Sequence, residues 1–313
     1  MKKYVCLLLG LLWASISFAT PPKHLTLILD WYLNPDHAPI AVAEQKGYFK
    51  QQGLDVHVIA PANPNDGPKM VAAGKADITI TYLAGLIQFV ENGLPLIRVG
   101  TLFSTNLNAM AVLKNGPIKT IKDLKGKTIG TSASSVDQAM VGAMLAHNGL
   151  SIKDVKMVSV QYNLVQALLA HRVDAISGIM RNIEPVEMRL AGQPARLFLP
   201  QNNGVPDSAS ELWVVNSKNV NAPWVKKFLT AIQQGTKYLK AHPESTWRAF
   251  AKNHPELNNK FNHEAWLGTY HYFADNPFVY NPASYNHFAK FMQQQKLIKT
   301  IPPIKDYAVG EAK

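Results

Sequence analysis

Three groups of side chains in this sequence have the chemistry to hold a small molecule. Trp31, Tyr32 and Tyr82 offer flat apolar faces that stack on a ring. Ser132, Ser134 and Ser135 stand at the start of an expected helix, and with Arg181 they make the donor set an anion needs. Asn34 and His37 share the Asn34–Pro39 turn, where His37 either meets a ligand or bonds within the turn. The aromatic faces favour a flat heterocycle over a small anion.

Signatures of catalysis are weak. Gly126-Lys127-Thr128 resembles the end of a phosphate-binding loop, but Ile121 stands where the first glycine is required. Gly130-x-Ser132-x-Ser134 lacks the second glycine of a nucleophile elbow. His263-Glu264 has no second histidine four positions on, and the ten histidines show no metal-ligand spacing. The only cysteine is Cys6, which excludes a disulfide scaffold and a thiolate metal site. No catalytic residue, metal ligand or cofactor is expected.

A repeat positions these groups. In the first half, strands are expected at Leu25–Trp31, Asp55–Ile59 and Asp77–Tyr82, with helices over 39–52 and 66–75. In the second, strands are expected at Lys127–Thr131, Val155–Val160 and Asp174–Ile179, with helices from Ser134 or Ser135 to Asn148 and over Leu164–His171. Gly53-Leu54 leads Asp77 by 24 residues, and Gly149-Leu150 leads Asp174 by 25. Strands alternating with such helices predict two lobes built from βαβ units. Open parallel sheets bind ligands beyond the C-terminal ends of their strands. Here those are the loops Asp30–His37, Tyr82–Gly85, Thr131–Ser135 and Met180–Glu184. Helices opening at Pro223 and Pro243, and over His263–Ala274 and Pro282–Gln295, make the last third helical.

At 313 residues and 47% hydrophobic, the chain has room for about two domains. Lys2 and Lys3, the apolar run Val5–Trp13 and Ser17-Phe18-Ala19 read as a secretory signal peptide cut after Ala19. The net charge of +11 falls to +9 once Lys2 and Lys3 leave. Its lysines and arginines are dispersed, with Lys122, Lys125 and Lys127 the densest patch. A nucleic-acid binder concentrates its charge on one face, so no nucleic-acid partner is expected.

Distinctive motifs carry a family resemblance. They are Leu29-Asp30-Trp31-x-x-Asn34-Pro35-x-His37-x-Pro39, Lys46-Gly47-Tyr48-Phe49, Gly53-Leu54-Asp55-Val56, Asn63-Pro64-x-Asp66, Gly74-Lys75-x-Asp77 and Asp123-Leu124-Lys125-Gly126-Lys127-x-Ile129-Gly130. Over about residues 25–250 the chain resembles the thiamine-pyrimidine synthase and pyrimidine-binding-protein superfamily, which is related to the alkanesulfonate, taurine and nitrate binding proteins of ABC importers. The resemblance implies an α/β, two-lobed periplasmic binding protein fold (type II-like) with parallel-rich sheets and a helical C-terminal part. The lobes are expected at 20–110 plus 216–313 and at 111–215.

The superfamily has two branches. The synthase branch makes the pyrimidine from pyridoxal phosphate and its own histidine. The resemblance puts its cofactor lysine and sacrificed histidine on Thr81 and Gly85, and its cysteine-rich segment near Pro206–Ser210, which has no cysteine. A Schiff base needs a lysine amine, and none lies between Lys75 and Lys114. The other branch is a monomeric periplasmic solute-binding protein that feeds the membrane subunits of an ABC importer. That is the expectation here, with a thiamine-related aminopyrimidine in the inter-lobe cleft; riboflavin, a sulfonate or synthase activity are the alternatives. Glu184, in Arg181-Asn182-Ile183-Glu184, matches an Asn-x-Glu of the binding branch and is expected to read the ring's amine, with Asn182 beside it. Glu211 is the second candidate.

Overall fold

The computed structural model describes residues 21–312 except Pro64, Ala133 and Ser134, and leaves out the side chains of Ser135 and Val136. The signal-peptide segment 1–19 and Ser134 therefore lie outside the described residues. Two five-stranded sheets share one plan. The first half supplies β1 (Lys23–Ile28), α1 (Ala38–Gln45), α2 (Tyr48–Gln51), β2 (Leu54–Ile59), α3 (Asp66–Ala72), β3 (Ile78–Tyr82), α4 (Leu83–Glu91) and β4 (Leu96–Thr101). The second supplies β5 (Asn108–Leu113), β6 (Thr128–Thr131), α5 (Ser135–His147), β7 (Lys156–Ser159), α6 (Leu164–Leu169), β8 (Ala175–Met180), α7 (Glu184–Leu190) and β9 (Ala195–Phe198). The chain then returns through β10 (Glu211–Asn216).

The strand orders are β2-β1-β3-β10-β4 and β7-β6-β8-β5-β9. Each sheet has one reversed strand: β10 runs antiparallel to β3 and β4, and β5 to β8 and β9. These are the two strands by which the chain enters a sheet from the other one. The repeat expected from Asp77 and Asp174 has a physical basis. The Asp77 carboxylate accepts from Thr26 N at 2.8 Å while its own N–H donates to Thr26 O at 3.0 Å. Asp174 makes the same clamp on Thr128, at 2.9 and 2.8 Å.

The expected helix over 39–52 is two helices, because Gly47 takes the left-handed φ of +70° between them; a side chain there would be strained. The C-terminal part is α8 (Pro223–Ala241), α9 (Pro243–Asn253), α10 (Lys260–Thr269), β11 (Val279–Tyr280), α11 (Pro282–Gln294), α12 (Ile304–Tyr307) and β12 (Glu311–Ala312). The helix expected at His263 starts three residues earlier, because Asn259 Oδ1 accepts from Asn262 N at 2.9 Å and caps it. Trp213, Phe228, Phe250 and Trp266 are buried in one core between the first sheet and these helices. A second core runs from the opposite face of that sheet, through Val214 and Tyr285, to Met110 and Met144 of the second.

Helix α8 lies against α1 at Gly235, where a β-carbon would come 2.6 Å from Pro39 O and 3.1 Å from Ala43 Cβ. Gly235→Ala gains some helix propensity, about 0.5–1 kcal/mol, but overpacking costs about 1–3 kcal/mol. A net loss in denaturant unfolding is expected; an unchanged or raised midpoint would show that α8 can move away from α1.

Candidate functional site

The C-terminal ends of the central strands face one cavity of about 470 Å³ between the sheets. Its floor belongs to the first sheet. Asp30 follows β1, Thr81 and Tyr82 end β3, and Glu211 starts β10 opposite Tyr82. The far wall comes from the second sheet, with Asn108, Gly178 and Met180, and from Ser132, Asp137 and Glu184 in the segments after its strands. Trp31 and Tyr32 stand at one side, and Tyr32 is 54% exposed. Trp31 meets Tyr162, from beyond β7 of the other sheet, edge-on with ring centroids 4.2 Å apart.

The Asn34 turn is a polar brace. Asn34 Oδ1 accepts from Asp36 N at 2.7 Å. The Asn34 backbone N–H donates to His37 Nδ1 at 3.2 Å, so the ring proton sits on Nε2, which donates to Asp30 Oδ1 at 3.0 Å. Tyr82 OH donates to Asp30 Oδ2 at 2.9 Å. Burial alone would push the Asp30 carboxyl up, but the bonds from His37 and Tyr82 outweigh it and hold it below its ordinary range. Burial pushes Asp36 well up despite the Asn182 amide that donates to it at 2.7 Å. Glu211 is pushed well up by burial and by the charges of Asp30 and Asp36. Burial raises Glu184 to about 7, although Met180 N donates to its Oε2 at 2.8 Å. Burial and charge thus push the cavity acids apart: Asp30 is held low, whereas Asp36, Glu184 and Glu211 are raised.

Of the residues singled out from sequence, Trp31, Asn34, Tyr82, Ser132, Glu184 and Glu211 line this cavity. His37 does not, because one ring nitrogen is spent on Asn34 N and the other on Asp30, and its side chain is 1% exposed. Asn182 does not line it either, since its buried amide donates to Asp36 Oδ1 and, at 2.8 Å, to Thr269 Oγ1. Arg181 points elsewhere. Its guanidinium stacks over Tyr272 at 5.4 Å, beside a shallow pocket lined by Leu197–Leu199, so it cannot complete an anion site with Ser132. Ser132 Oγ instead donates to Asp137 Oδ2 at 2.9 Å. Ser134 lies outside the described residues, as does the side chain of Ser135.

Asp30, Asp36 and Asp137 also line the cavity and were not singled out from sequence. A signal existed for two of them: Asp30-Trp31 and Asp36 fall inside the loop expected after β1. Asp137 gave none, since it reads as an ordinary first-turn helix acid. A lysine also reaches the cavity, Lys69 from α3, although the stretch after β3 has none. Gly178 takes φ +79°, and a β-carbon there would lie 2.8 Å from Asp137 Oδ2, so glycine gives that carboxylate its place. Among the described residues, no group of three or more His, Cys, Asp or Glu side chains is placed to hold a metal ion.

The family model described as NMT1/THI5 like matches residues 34–246. A Haemophilus influenzae protein named for thiamine biosynthesis is 41% identical over 308 residues, 98% of each chain. The 4-amino-5-hydroxymethyl-2-methylpyrimidine phosphate synthase of Saccharomyces cerevisiae is 28% identical over 89% of this chain and 84% of its own. The formylaminopyrimidine-binding protein of Halalkalibacterium halodurans is 26% identical over 74% and 71%. The alkanesulfonate-binding protein of Xanthomonas axonopodis pv. citri superposes with a TM-score of 0.72 at 17% identity, covering 91% of this chain and 96% of that one. The fold is therefore that of the periplasmic binding proteins, with mixed α/β sheets.

Proposed function

The chain belongs to the NMT1/THI5-like family, and on that premise we propose that it is a periplasmic solute-binding protein that captures a thiamine-related aminopyrimidine for an ABC importer. One observation carries the ligand class. The cavity sets the acidic groups Asp30, Asp36, Glu184 and Glu211 beside the rings of Trp31 and Tyr82, and among the described residues that line it the one basic side chain is the exposed Lys69. Carboxyl groups accept from exocyclic amines, and aromatic faces stack on a flat ring. A sulfonate or a phosphate would meet the wrong charge there.

The lobes, 20–110 with 216–313 and 111–215, would close on the ligand about the crossings at 102–107 and 207–210. Asn182 to Asp36, and the ion pair of Arg189 with Glu264, would latch them. Export through the signal peptide of residues 1–19 fits this reading. So does the absence, among the described residues, of a helix long and apolar enough to cross a membrane. A monomer that docks on the importer's membrane subunits completes it. The synthase relatives set the competing reading. Against it, Thr81 and Gly85 line the cavity where that branch needs lysine and histidine, and Lys69 is exposed on another element.

The test is a thermal-shift panel. Formylaminopyrimidine and 4-amino-5-hydroxymethyl-2-methylpyrimidine are expected to raise the melting temperature. Ligand at a hundred times its Kd adds about 2.7 kcal/mol by mass action. Taurine should leave it unchanged. A shift with taurine alone, or with none of these and none with riboflavin or thiamine, would overturn the proposal. Pyrimidine formed on incubation with pyridoxal phosphate and iron would hand the site to the synthase reading.

A further inference from the structure

Glu211 and its neighbour Ser210 are 1% and 2% exposed, yet Glu211 Oε2 and Ser210 Oγ are buried without a hydrogen-bond partner. Both residues line the cavity. Their main chain is held: Glu211 O accepts from Leu102 N at 2.9 Å, and Ser210 N donates to Phe103 O at 3.1 Å. Buried polar groups are nearly always paired, so this edge of the floor is built for a partner that the protein does not supply. Glu184 is different, because its carboxyl already accepts from Met180 N.

We propose that Glu211 is the specificity-determining group of the cavity, its carboxylic acid making a two-point pair with a heteroaromatic ring that carries an exocyclic amine beside an unprotonated ring nitrogen. The inference rests on the small-molecule reading above and deepens it. In the pair, the acid O–H donates to the ring nitrogen and the acid carbonyl oxygen accepts from the amine. No bond to carbon forms or breaks, and the proton stays between Glu211 and the ring. A ring with only carbonyls on its edge, or a sulfonate, offers no such pattern.

The surroundings keep the acid protonated. Asp30 and Asp36 face it from the loop after β1, and Tyr82 from β3. Glu184 and Glu187 of α7 and Asp137 of α5 close the far side of the cavity. Among the described residues no cation pairs with it: the His37 Nε2 proton goes to Asp30, and Lys69 on α3 is exposed. Burial and like charge therefore both disfavour a second carboxylate at Glu211.

Glutamine separates a protonated acid from a carboxylate, because its amide also has one donor and one acceptor in that geometry. Calorimetric titration uses the mature protein and 4-amino-5-hydroxymethyl-2-methylpyrimidine. Between pH 7 and 9, Glu211→Gln is expected to bind within about threefold of the wild type's neutral-pH affinity and to be less pH-dependent than the wild type. Glu211→Leu leaves the ring's donor and acceptor unpaired and is expected to lose about tenfold or more. A tenfold loss in Glu211→Gln, equal to that of Glu211→Leu, would make the group an ionised carboxylate and overturn the proposal. Normal binding by Glu211→Leu would overturn it too.

A second readout needs no ligand. A raised acid binds more protons folded than unfolded, so its contribution to stability falls as pH climbs from about 4.5 toward its folded value. The melting temperature of the empty wild type should thus fall relative to that of Glu211→Gln from pH 5 to 9. A constant difference would show that Glu211 is not held protonated, whatever the ligand. If that difference falls as expected but no aminopyrimidine shifts the wild-type melt, the acid is as described, the ligand class is wrong, and the pairing proposal fails with it.

Discussion

Arg98→Met is expected to lower the melting temperature by roughly 6–12 °C while leaving the ligand affinity of the folded protein unchanged. Arg98 is fully buried on β4. Its Nη2 donates to Thr101 Oγ1 at 2.7 Å, Val279 O at 2.8 Å and Pro277 O at 2.9 Å. Its Nη1 donates to Phe278 O at 3.2 Å and to Val309 O. Tyr280 covers the guanidinium at 4.9 Å. One side chain thus collects two stretches of the C-terminal segment onto the edge of the first sheet. Methionine keeps much of the volume but strands the carbonyls, each worth about 1–3 kcal/mol when left unpaired and buried. These costs do not add fully, so about 3 kcal/mol is a fair total. Arg98→Lys should recover only part, since three donors on one nitrogen cannot span acceptors on both stretches. Limited proteolysis gives the independent check: residues 296–312 should be released faster from Arg98→Met. A melt within 2 °C of the wild type would mean that the segment docks without the guanidinium.

Trp31→Ala is expected to weaken every flat ligand by about 5- to 150-fold, the equivalent of about 1–3 kcal/mol per stacked ring. Trp31 lines the cavity and also meets Tyr162, ring centroids 4.2 Å apart, so the change removes both a stacking face and a ring contact. Trp31→Phe keeps a ring and should recover most of the affinity. The loss should be the same for formylaminopyrimidine and 4-amino-5-hydroxymethyl-2-methylpyrimidine, because a stacked face does not read the ring's edge. Because Trp31 is only half-buried, the melting temperature of the empty protein should move little. Titration calorimetry measures the first quantity and a melt the second. Unchanged affinity in Trp31→Ala would place the ring elsewhere in the cavity.

The two-lobed plan was legible because local signals repeat. Gly53 and Gly149 end helices with φ of +69° and +78°, and Asp77 and Asp174 clamp neighbouring strands in the same way. Such features depend on residues near in sequence or on one strand pairing, so types and spacing reveal them. The aromatic and acidic candidates Trp31, Tyr82, Glu184 and Glu211 could be named for the same reason: strand ends are predictable, and ligand sites gather there.

The sequence by itself therefore determined the lobe plan, the loops that face the cleft and the lack of a lysine after β3. Only the tertiary structure decided how the polar groups pair. His37 looked like a cleft residue, but its two nitrogens are taken by Asn34 N and Asp30. Arg181 looked like an anion donor, but it turns to Tyr272. Asp137 looked like a helix acid, yet Gly178 opens a place for it in the cavity wall. Glu211 became the distinctive acid because folding buries it in one cavity with the charges of Asp30 and Asp36, about 180 positions earlier in the chain. Periodicity reports which face of an element is buried, whereas a buried acid's proton depends on charges and donors brought from distant segments, and only folding sets those distances.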